Sequence, residues 1–230
     1  MLKLGLIGKD ISHSKSQQMY QDLLGREIDY SLFDYNNENE IPSLDELFKQ
    51  VEGISITAPY KKFFTDKVSI VSEISELGII NCIRKSKGIY EATNTDFLVV
   101  DNFFKTSKLL DDRKVVLLGN GSMAEITKYS AKVNNIDLLQ FARSITKDFE
   151  SLNLKDIQKD VGKKLLVINS CSREFGYKGE TSDDLIFWDY NYGHDFHFNR
   201  FSLSNIQYID GIDLLKSQAS FALKFWDIKI

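Results

Sequence analysis

Short apolar runs alternate along this chain with stretches in which apolar residues recur every three to four positions, almost from end to end. Apolar runs of about four to eight residues bounded by turn residues read as buried strands, and the longer period reads as helices. Strands are predicted at Leu4–Ile7, Tyr30–Asp34, Gly53–Thr57, Cys82–Arg84, Ile89–Ala92, Val115–Leu118, Asp137–Phe141, Leu165–Ile168, Leu185–Asp189 and Ile206–Ile209. Helices are predicted at Ser16–Leu24, Ser43–Gln50, Ser72–Leu77, Asp96–Leu109, Met123–Asn134 and Ile212–Trp226. Ser43-Leu44-Asp45-Glu46 has the form of a capping box, which marks the start of the second helix. Repeated strand, helix, strand predicts the α/β class with mostly parallel sheets. No internal repeat or low-complexity tract interrupts the pattern. The polar stretch Lys105–Lys114 precedes a fresh strand and a glycine-rich turn, so a domain boundary is expected there. The last helix is expected to pack back across the first domain.

Composition narrows the picture further. The 230 residues are 43% hydrophobic and 27% charged, ordinary values for a globular protein with room for a substantial core. Net charge is −4 with the signs mixed throughout, so no basic face suits a nucleic acid or an anionic membrane, and none is expected as a partner. An anionic substrate must be held by local donors. Cys82 and Cys171 have no metal-type spacing and read as two reduced thiols. No apolar run approaches the roughly 20 residues that span a bilayer, and the opening segment is too short for a signal-peptide core. A soluble, cytoplasmic protein is the expectation. His194 and His197 sit in a polar stretch without an evident third ligand and read as solvated imidazoles, so no metal is expected.

The strongest local motif is Val115-Val116-Leu117-Leu118-Gly119-Asn120-Gly121-Ser122-Met123-Ala124. It reads as a strand, a tight turn and the first turn of a helix, with the pattern G-x-G-x-x-A. Glycines there let the backbone approach a dinucleotide pyrophosphate, and the helix start offers N–H groups to it. Ala124 takes the position that must be small for helix–strand packing. The next strand ends in Ala142-Arg143-Ser144, with Lys147 close behind and no acidic residue at its tip. NAD-binding units place a carboxylate there for the ribose hydroxyls, whereas a guanidinium can fork onto a 2′-phosphate. NADP is the expected cofactor, the alternative for Arg143 being a solvated loop residue.

Three further segments carry polar groups where hydride transfer to a small acid would need them. In Ser12-His13-Ser14-Lys15-Ser16, hydroxyls at a helix start can bind a carboxylate, although Ser14 with Gln17 also fits a capping box. Thr57-Ala58-Pro59-Tyr60-Lys61 follows a strand, where Lys61 can donate a proton to a carbonyl oxygen. On chemistry alone Lys62 serves equally well. Asn94-Thr95-Asp96 opens a helix, and Asp96 is either its N-cap or the partner of a lysine ammonium.

In this order the segments resemble the shikimate dehydrogenase family over almost the whole chain. Gly5-Leu6-Ile7-Gly8 followed by Ile11-Ser12-His13-Ser14-Lys15-Ser16 is similar to the family's opening, which implies that Ser14 and Ser16 hold the substrate carboxylate. Ile56-Thr57-Ala58-Pro59-Tyr60-Lys61 resembles its V-T-x-P-[FYH]-K segment, which places Thr57 with the substrate and singles out Lys61 over Lys62 as the catalytic lysine. Ile80-Asn81 and Asn94-Thr95-Asp96 match two more segments, implying that Asn81 binds ring hydroxyls and Asp96 partners Lys61. Asp189-Tyr190-Asn191-Tyr192 resembles a D-x-x-Y stretch, with Tyr192 near substrate and Tyr190 near nicotinamide. Gly211 and Gln218-Ala219 resemble the closing segment, Gly211 on the cofactor side and Gln218 bonding the substrate. Ala142-Arg143-Ser144 with Lys147 is a looser N-R-T-x-x-R adenosine-phosphate motif.

The resemblance implies a substrate domain from residues 1–104 and 211–230, which takes 3-dehydroshikimate or shikimate. It implies a Rossmann-type NADP domain over residues 105–210, held by Gly119, Asn120, Gly121, Ser122, Met123, Ala142, Arg143, Ser144 and Lys147, with a cleft that closes for hydride transfer. The expected state is a monomer or homodimer. Asp10 and Gln17 stand where the family has proline, Ile168-Asn169-Ser170-Cys171-Ser172 only partly matches I-N-A-T, and the chain runs only to Ile230 where the family pattern has a further helix. A quinate- or aminoshikimate-type relative, and a ligand-binding protein without turnover, are the alternative readings.

Overall fold

A computed structural model describes residues 1–71, 74–202 and 204–229. The chain folds into two compact units, Met1–Val99 with Leu215–Ile230, and Val100–Leu214.

In the first unit β1 (Lys3–Gly8), α1 (Ser16–Leu24), β2 (Asp29–Asp34), α2 (Leu44–Leu47), β3 (Gly53–Ile56), β4 (Ser69–Ile70), β5 (Cys82–Ser86) and β6 (Ile89–Thr93) follow in order, and α3 (Thr95–Thr106) begins. The strands form one sheet in the order β2-β1-β3-β5-β6-β4. β1 pairs parallel with both β2 and β3, whereas β5 runs antiparallel to β3 and to β6. The antiparallel pair closes through Lys87 and Gly88, both at positive φ (49° and 82°), the geometry that suits the twist of a two-residue hairpin. Ser43 and Glu46 form the predicted capping box, yet α2 stops at Leu47.

The second unit carries β7 (Arg113–Leu118), α4 (Ser122–Val133), β8 (Leu138–Phe141), α5 (Leu154–Val161), β9 (Lys164–Asn169), β10 (Ile186–Asp189), α6 (Asp195–Ser202), β11 (Gln207–Ile209) and the start of α7 (Ile212–Phe225). All pairings in its sheet, ordered β11-β10-β9-β7-β8, are parallel. Val115–Leu118 and Leu165–Ile168 are fully buried, which is why these strands read as unbroken apolar runs. Val116, Leu118, Leu165, Val167 and Phe187 centre the core, which Leu154 of α5 and Phe201 of α6 complete.

The rest of α7 belongs to the first unit, where Ala219, Ala222, Leu223 and Trp226 pack on Leu4, Tyr20, Ile28 and Cys82. This docking is the predicted return of the C-terminal helix. Trp226 Nε1 donates to the Ile83 carbonyl at 2.9 Å, and its ring fills the space a Cβ at Gly53 would take.

Several predicted elements are corrected. The helix expected over Asp96–Leu109 ends at Thr106, and Ser107 caps a separate 3-10 turn at Lys108–Leu110. Of the helix expected at Ser72–Leu77, Ser72 and Glu73 lie outside the described residues. The remainder is a turn in which Leu77 N donates to Ile74 O. α5 and α6 were not predicted. α5 nevertheless carries both end signals, Asn153 accepting from Asp156 N and Gly162 in the left-handed region.

Candidate functional site

A parallel sheet tends to bind ligands beyond the carboxyl ends of its strands, where the strand order switches direction. In the first unit that point lies between β1 and β3. The Ser14–Ser16 segment follows β1 and the Thr57–Lys61 segment follows β3. β6 runs in the same direction as β3, so Asn94–Asp96, just past its end, share that edge. Asn81 precedes the antiparallel β5 and reaches the same edge from the other direction.

At this edge Lys61 Nζ donates to Asp96 Oδ2 at 2.8 Å, with the two side chains only 10% and 11% exposed. A bare surface lysine would not be held this way. Lys62 is exposed, which separates the two lysines that chemistry alone left equal. The N-cap reading of Asp96 is overturned, because Asn94 Oδ1 accepts from Phe97 N at 2.9 Å and performs that task. Asp96 instead sits in the first turn of α3, where the helix dipole favours a carboxylate.

Asn81 Oδ1 accepts from Thr95 N at 2.7 Å, and Thr95 Oγ1 lies 3.0 Å from Asn81 Nδ2 and 3.1 Å from Gln218 Oε1. Asn81, Thr95 and Gln218 are all buried, so the three form one polar knot that ties α7 to the start of α3. The sequence flagged Asn81 and Gln218 but gave Thr95 no role. Thr57 is half-buried, its N–H donating to Ile7 O at 2.8 Å, and it packs against Gly8, where a Cβ would meet its methyl at 2.5 Å.

The capping box that is the alternative reading of Ser14 and Gln17 does not form. Lys15 is the N-cap of α1 and makes no side-chain cap bond. Ser14 Oγ accepts from Ser16 N at 3.2 Å and lies 3.1 Å from Ser16 Oγ, so the two hydroxyls are paired with each other at the helix start. Beneath them, Tyr20 Oη is 3.0 Å from Ser55 Oγ, two residues to which the sequence gave no weight.

In the second unit the strand order switches between β7 and β9, and a cavity of about 500 Å³ opens there. Gly119, Asn120 and Gly121 after β7, Arg143 and Ser144 after β8, and Ser170–Ser172 after β9 line it. Gly119 has φ +117°, and a Cβ on it would meet Ser170 Oγ at 2.6 Å, so only glycine fits. Gly121 is the N-cap of α4, and no atom stands within 4 Å of a Cβ built there, which leaves room at the helix start. Ser122 and Met123 open that helix and Ala124 is fully buried behind it. Asn120 Nδ2 donates to Ser144 Oγ at 3.0 Å, joining the two turns.

Ala142 is buried, and Arg143 is 76% exposed with its Nη2 3.9 Å from Glu150 Oε1. Glu150 is itself held by Lys178 at 2.8 Å, so Arg143 remains available to an anion. Open room at Gly121, a helix start and this exposed guanidinium together fit a dinucleotide with a 2′-phosphate. Lys147 is exposed and does not line the cavity. Cys171 does, and burial pushes its thiol up to about 12. It is therefore a packing group and not a nucleophile.

Tyr190 and Tyr192 follow β10. Tyr190 Oη is 3.0 Å from Thr127 Oγ1 on α4, and the Arg173 guanidinium stacks on the Tyr192 ring at 4.8 Å. Gly211 approaches the Tyr190 backbone so closely that a Cβ would meet its carbonyl oxygen at 2.3 Å.

The histidines are not solvated, contrary to expectation. His197 is fully buried on α6 and His194 is 91% buried, their rings stacked 4.3 Å apart. Asp189, His194 and His197 place potential ligand atoms within 4.8 Å of one another. Hydrogen bonding already occupies His197, however. Its Nδ1 pairs with Asp189 Oδ2 at 2.6 Å and its Nε2 accepts from Tyr177 N at 2.9 Å. Asp189 Oδ1 in turn accepts from Asn169 and Asn191, so this cluster braces the loop that carries Tyr190 and Tyr192.

Comparison with known proteins adds the following. The family described as the shikimate dehydrogenase substrate binding domain matches residues 6–83. A shikimate dehydrogenase (NADP(+)) of Clostridium beijerinckii is 30% identical over 128 residues, which cover 53% of this chain and 47% of that protein. One of Microcystis aeruginosa is 27% identical over 97% of this chain and 90% of its own length. The crystal structure of shikimate dehydrogenase from Aquifex aeolicus superposes with a TM-score of 0.75 at 20% identity, covering 99% of this chain and 92% of that one. The likeness of fold therefore runs through both units. No helix among the described residues is long and apolar enough to cross a membrane.

Proposed function

We propose that this chain is a member of the shikimate dehydrogenase family, which it resembles in sequence and in fold, and that it catalyses the reversible, NADP-dependent reduction of 3-dehydroshikimate to shikimate. The observation that carries the reading is the buried Lys61–Asp96 pair at the strand edge shared with Ser14, Ser16, Asn81 and Gln218. A lone buried lysine is costly, and one held by a carboxylate beside a ring of hydroxyl and amide groups is equipped to exchange a proton with a polyhydroxylated acid.

In the reduction, Lys61 Nζ gives a proton to the carbonyl oxygen as hydride reaches the carbonyl carbon, and solvent restores the lysine afterwards. Oxidation is the reverse, the lysine taking the hydroxyl proton. Asp96 accepts a hydrogen bond from Nζ throughout and fixes where it points. Asn81 and Gln218, already tied through Thr95, present amide groups to the ring hydroxyls, and Thr57 borders them. Ser14 and Ser16 hold the carboxylate at the start of α1, and Tyr192 is assigned a role in binding the same substrate. Gly119, Asn120, Gly121, Ser122 and Met123 hold the pyrophosphate, Arg143 and Ser144 the 2′-phosphate, and Tyr190 and Gly211 the nicotinamide end. NADPH, when bound, supplies the hydride.

The test is an absorbance assay of shikimate and quinate oxidation, each with NADP⁺ and NAD⁺. Turnover of shikimate with NADP⁺ well above the other three pairs is expected. No oxidation of shikimate with either cofactor overturns the proposal, and a preference for quinate reassigns the substrate.

A further inference from the structure

The hydroxyl of Tyr30 is buried and makes no hydrogen bond of ordinary geometry, an arrangement that costs free energy unless something repays it. Register explains how it came to be there. Tyr30 on β2 pairs with Leu4 of β1, and Ser55 on β3 pairs with Leu6, so both side chains emerge on the same face of the sheet as Leu4 and Leu6. α1 covers that face, with Tyr20 packed on Leu4 and Ser16 at the helix start. The Tyr20 and Tyr30 rings lie 5.8 Å apart. Tyr20 satisfies its hydroxyl on Ser55, while the Tyr30 hydroxyl faces those of Ser16 and Ser55 without closing a bond to either.

The proton inventory of the serine pair shows what this unspent donor is for. Ser14 and Ser16 each have one hydroxyl proton. In the structure the Ser14 proton serves Ser16 Oγ. If both serines are to donate to a carboxylate, Ser14 must turn its proton away, and Ser16 Oγ loses its donor. The Tyr30 hydroxyl lies near that oxygen and, unlike the hydroxyls of Ser55 and Tyr20, which are paired together, is not so engaged. We infer that Tyr30 is a positioning residue for the carboxylate site, donating to Ser16 Oγ when substrate binds and so freeing both serine protons for the ligand. This inference rests on the assignment of Ser14 and Ser16 proposed above. Burial holds the Tyr30 phenol protonated, as a donor must be, its acidity weakened chiefly by loss of solvent.

Tyr30→Phe removes the hydroxyl and keeps the ring. Two readouts separate positioning from packing, because they move in opposite senses. In the free protein the variant loses only an unsatisfied buried group, so its melting temperature holds or rises. In steady-state kinetics with shikimate and NADP⁺, KM for shikimate rises about five- to tenfold, the worth of one hydrogen bond, while kcat changes far less and KM for NADP⁺ is unaffected. Stabilisation by saturating shikimate shrinks accordingly. An unchanged KM for shikimate, or a lower melting temperature of the free variant, overturns the inference. Ser14→Ala/Ser16→Ala, measured alongside, distinguishes the two levels. If it raises KM while Tyr30→Phe does not, the inference alone fails. If it leaves KM unchanged, the carboxylate assignment fails and takes the inference with it.

Discussion

Replacing Lys61 with methionine tests the mechanism and separates it from the stability of the same pair. Methionine keeps the length and volume of the side chain but has neither proton nor charge. Lys61 Nζ and Asp96 Oδ2 are 2.8 Å apart and nearly buried, so the substitution leaves a carboxylate with little solvent to replace its partner. Breaking a buried pair from one side typically costs about 3–5 kcal/mol. Asp96 keeps the favourable field at the start of α3, which points to the lower end, about 3 kcal/mol. For a chain of this length that corresponds to a fall in melting temperature of roughly 6–12 °C. Positioned proton transfer contributes about 10²–10⁴ in rate, so kcat for shikimate oxidation should fall by that factor. Lys61→Met/Asp96→Leu removes the stranded carboxylate as well. It should recover most of the lost stability, as apolar replacements of buried pairs do, and recover none of the turnover. Thermal unfolding followed by circular dichroism, with kinetics on the same preparations, reads both quantities. Lys62→Ala, at an exposed position, is the control expected to change neither much. Restored turnover in the double variant, or normal turnover in Lys61→Met, would refute the assignment of Lys61 as the proton donor.

Arg143→Ala should weaken NADPH by about 1.5–3 kcal/mol, the worth of a charged hydrogen bond, and spare NADH, as fluorescence titration would show. Equal losses for both cofactors would remove Arg143 from the 2′-phosphate. Cys171 and Cys82 are both pushed up by burial, Cys171 to about 12, so at about pH 8 each stays a neutral thiol. Iodoacetamide should label them only slowly until the protein unfolds, and rapid labelling of the native protein would contradict the buried setting. Gly53→Ala would drive a Cβ to 2.6 Å from the Trp226 ring. The overpacking should cost about 1–3 kcal/mol and shift tryptophan emission to the red as α7 loosens, an effect that calorimetry and fluorescence can follow.

Much of this architecture is local chemistry and could be read directly from the sequence. The apolar runs at Val115–Leu118 and Leu165–Ile168 are strands because both faces are buried, and Gly119 is glycine because its φ and its approach to Ser170 admit nothing larger. The capping box at Ser43 and the docking of α7 were also legible, the first from residue spacing and the second from helical period. Other readings turned on which elements become neighbours. Asp96 looked like a helix cap, and only the position of Asn94 just before it, with Lys61 brought to the same sheet edge by β3, gave it a different task. His194 and His197 looked solvated, yet His197 is buried on α6, where its Nδ1 pairs with Asp189 at the end of β10, and the His194 ring is buried stacked on it. Tyr30 carried no signal at all. Its importance arises from register, since β2 and β3 flank β1 and so place Tyr30 and Ser55 under one helix, where a hydroxyl is cut off from water without a bond of its own. Periodicity and turn chemistry depend on neighbours in the chain. Which buried polar group finds a partner depends on the strand order, and that is settled only when the sheet is assembled.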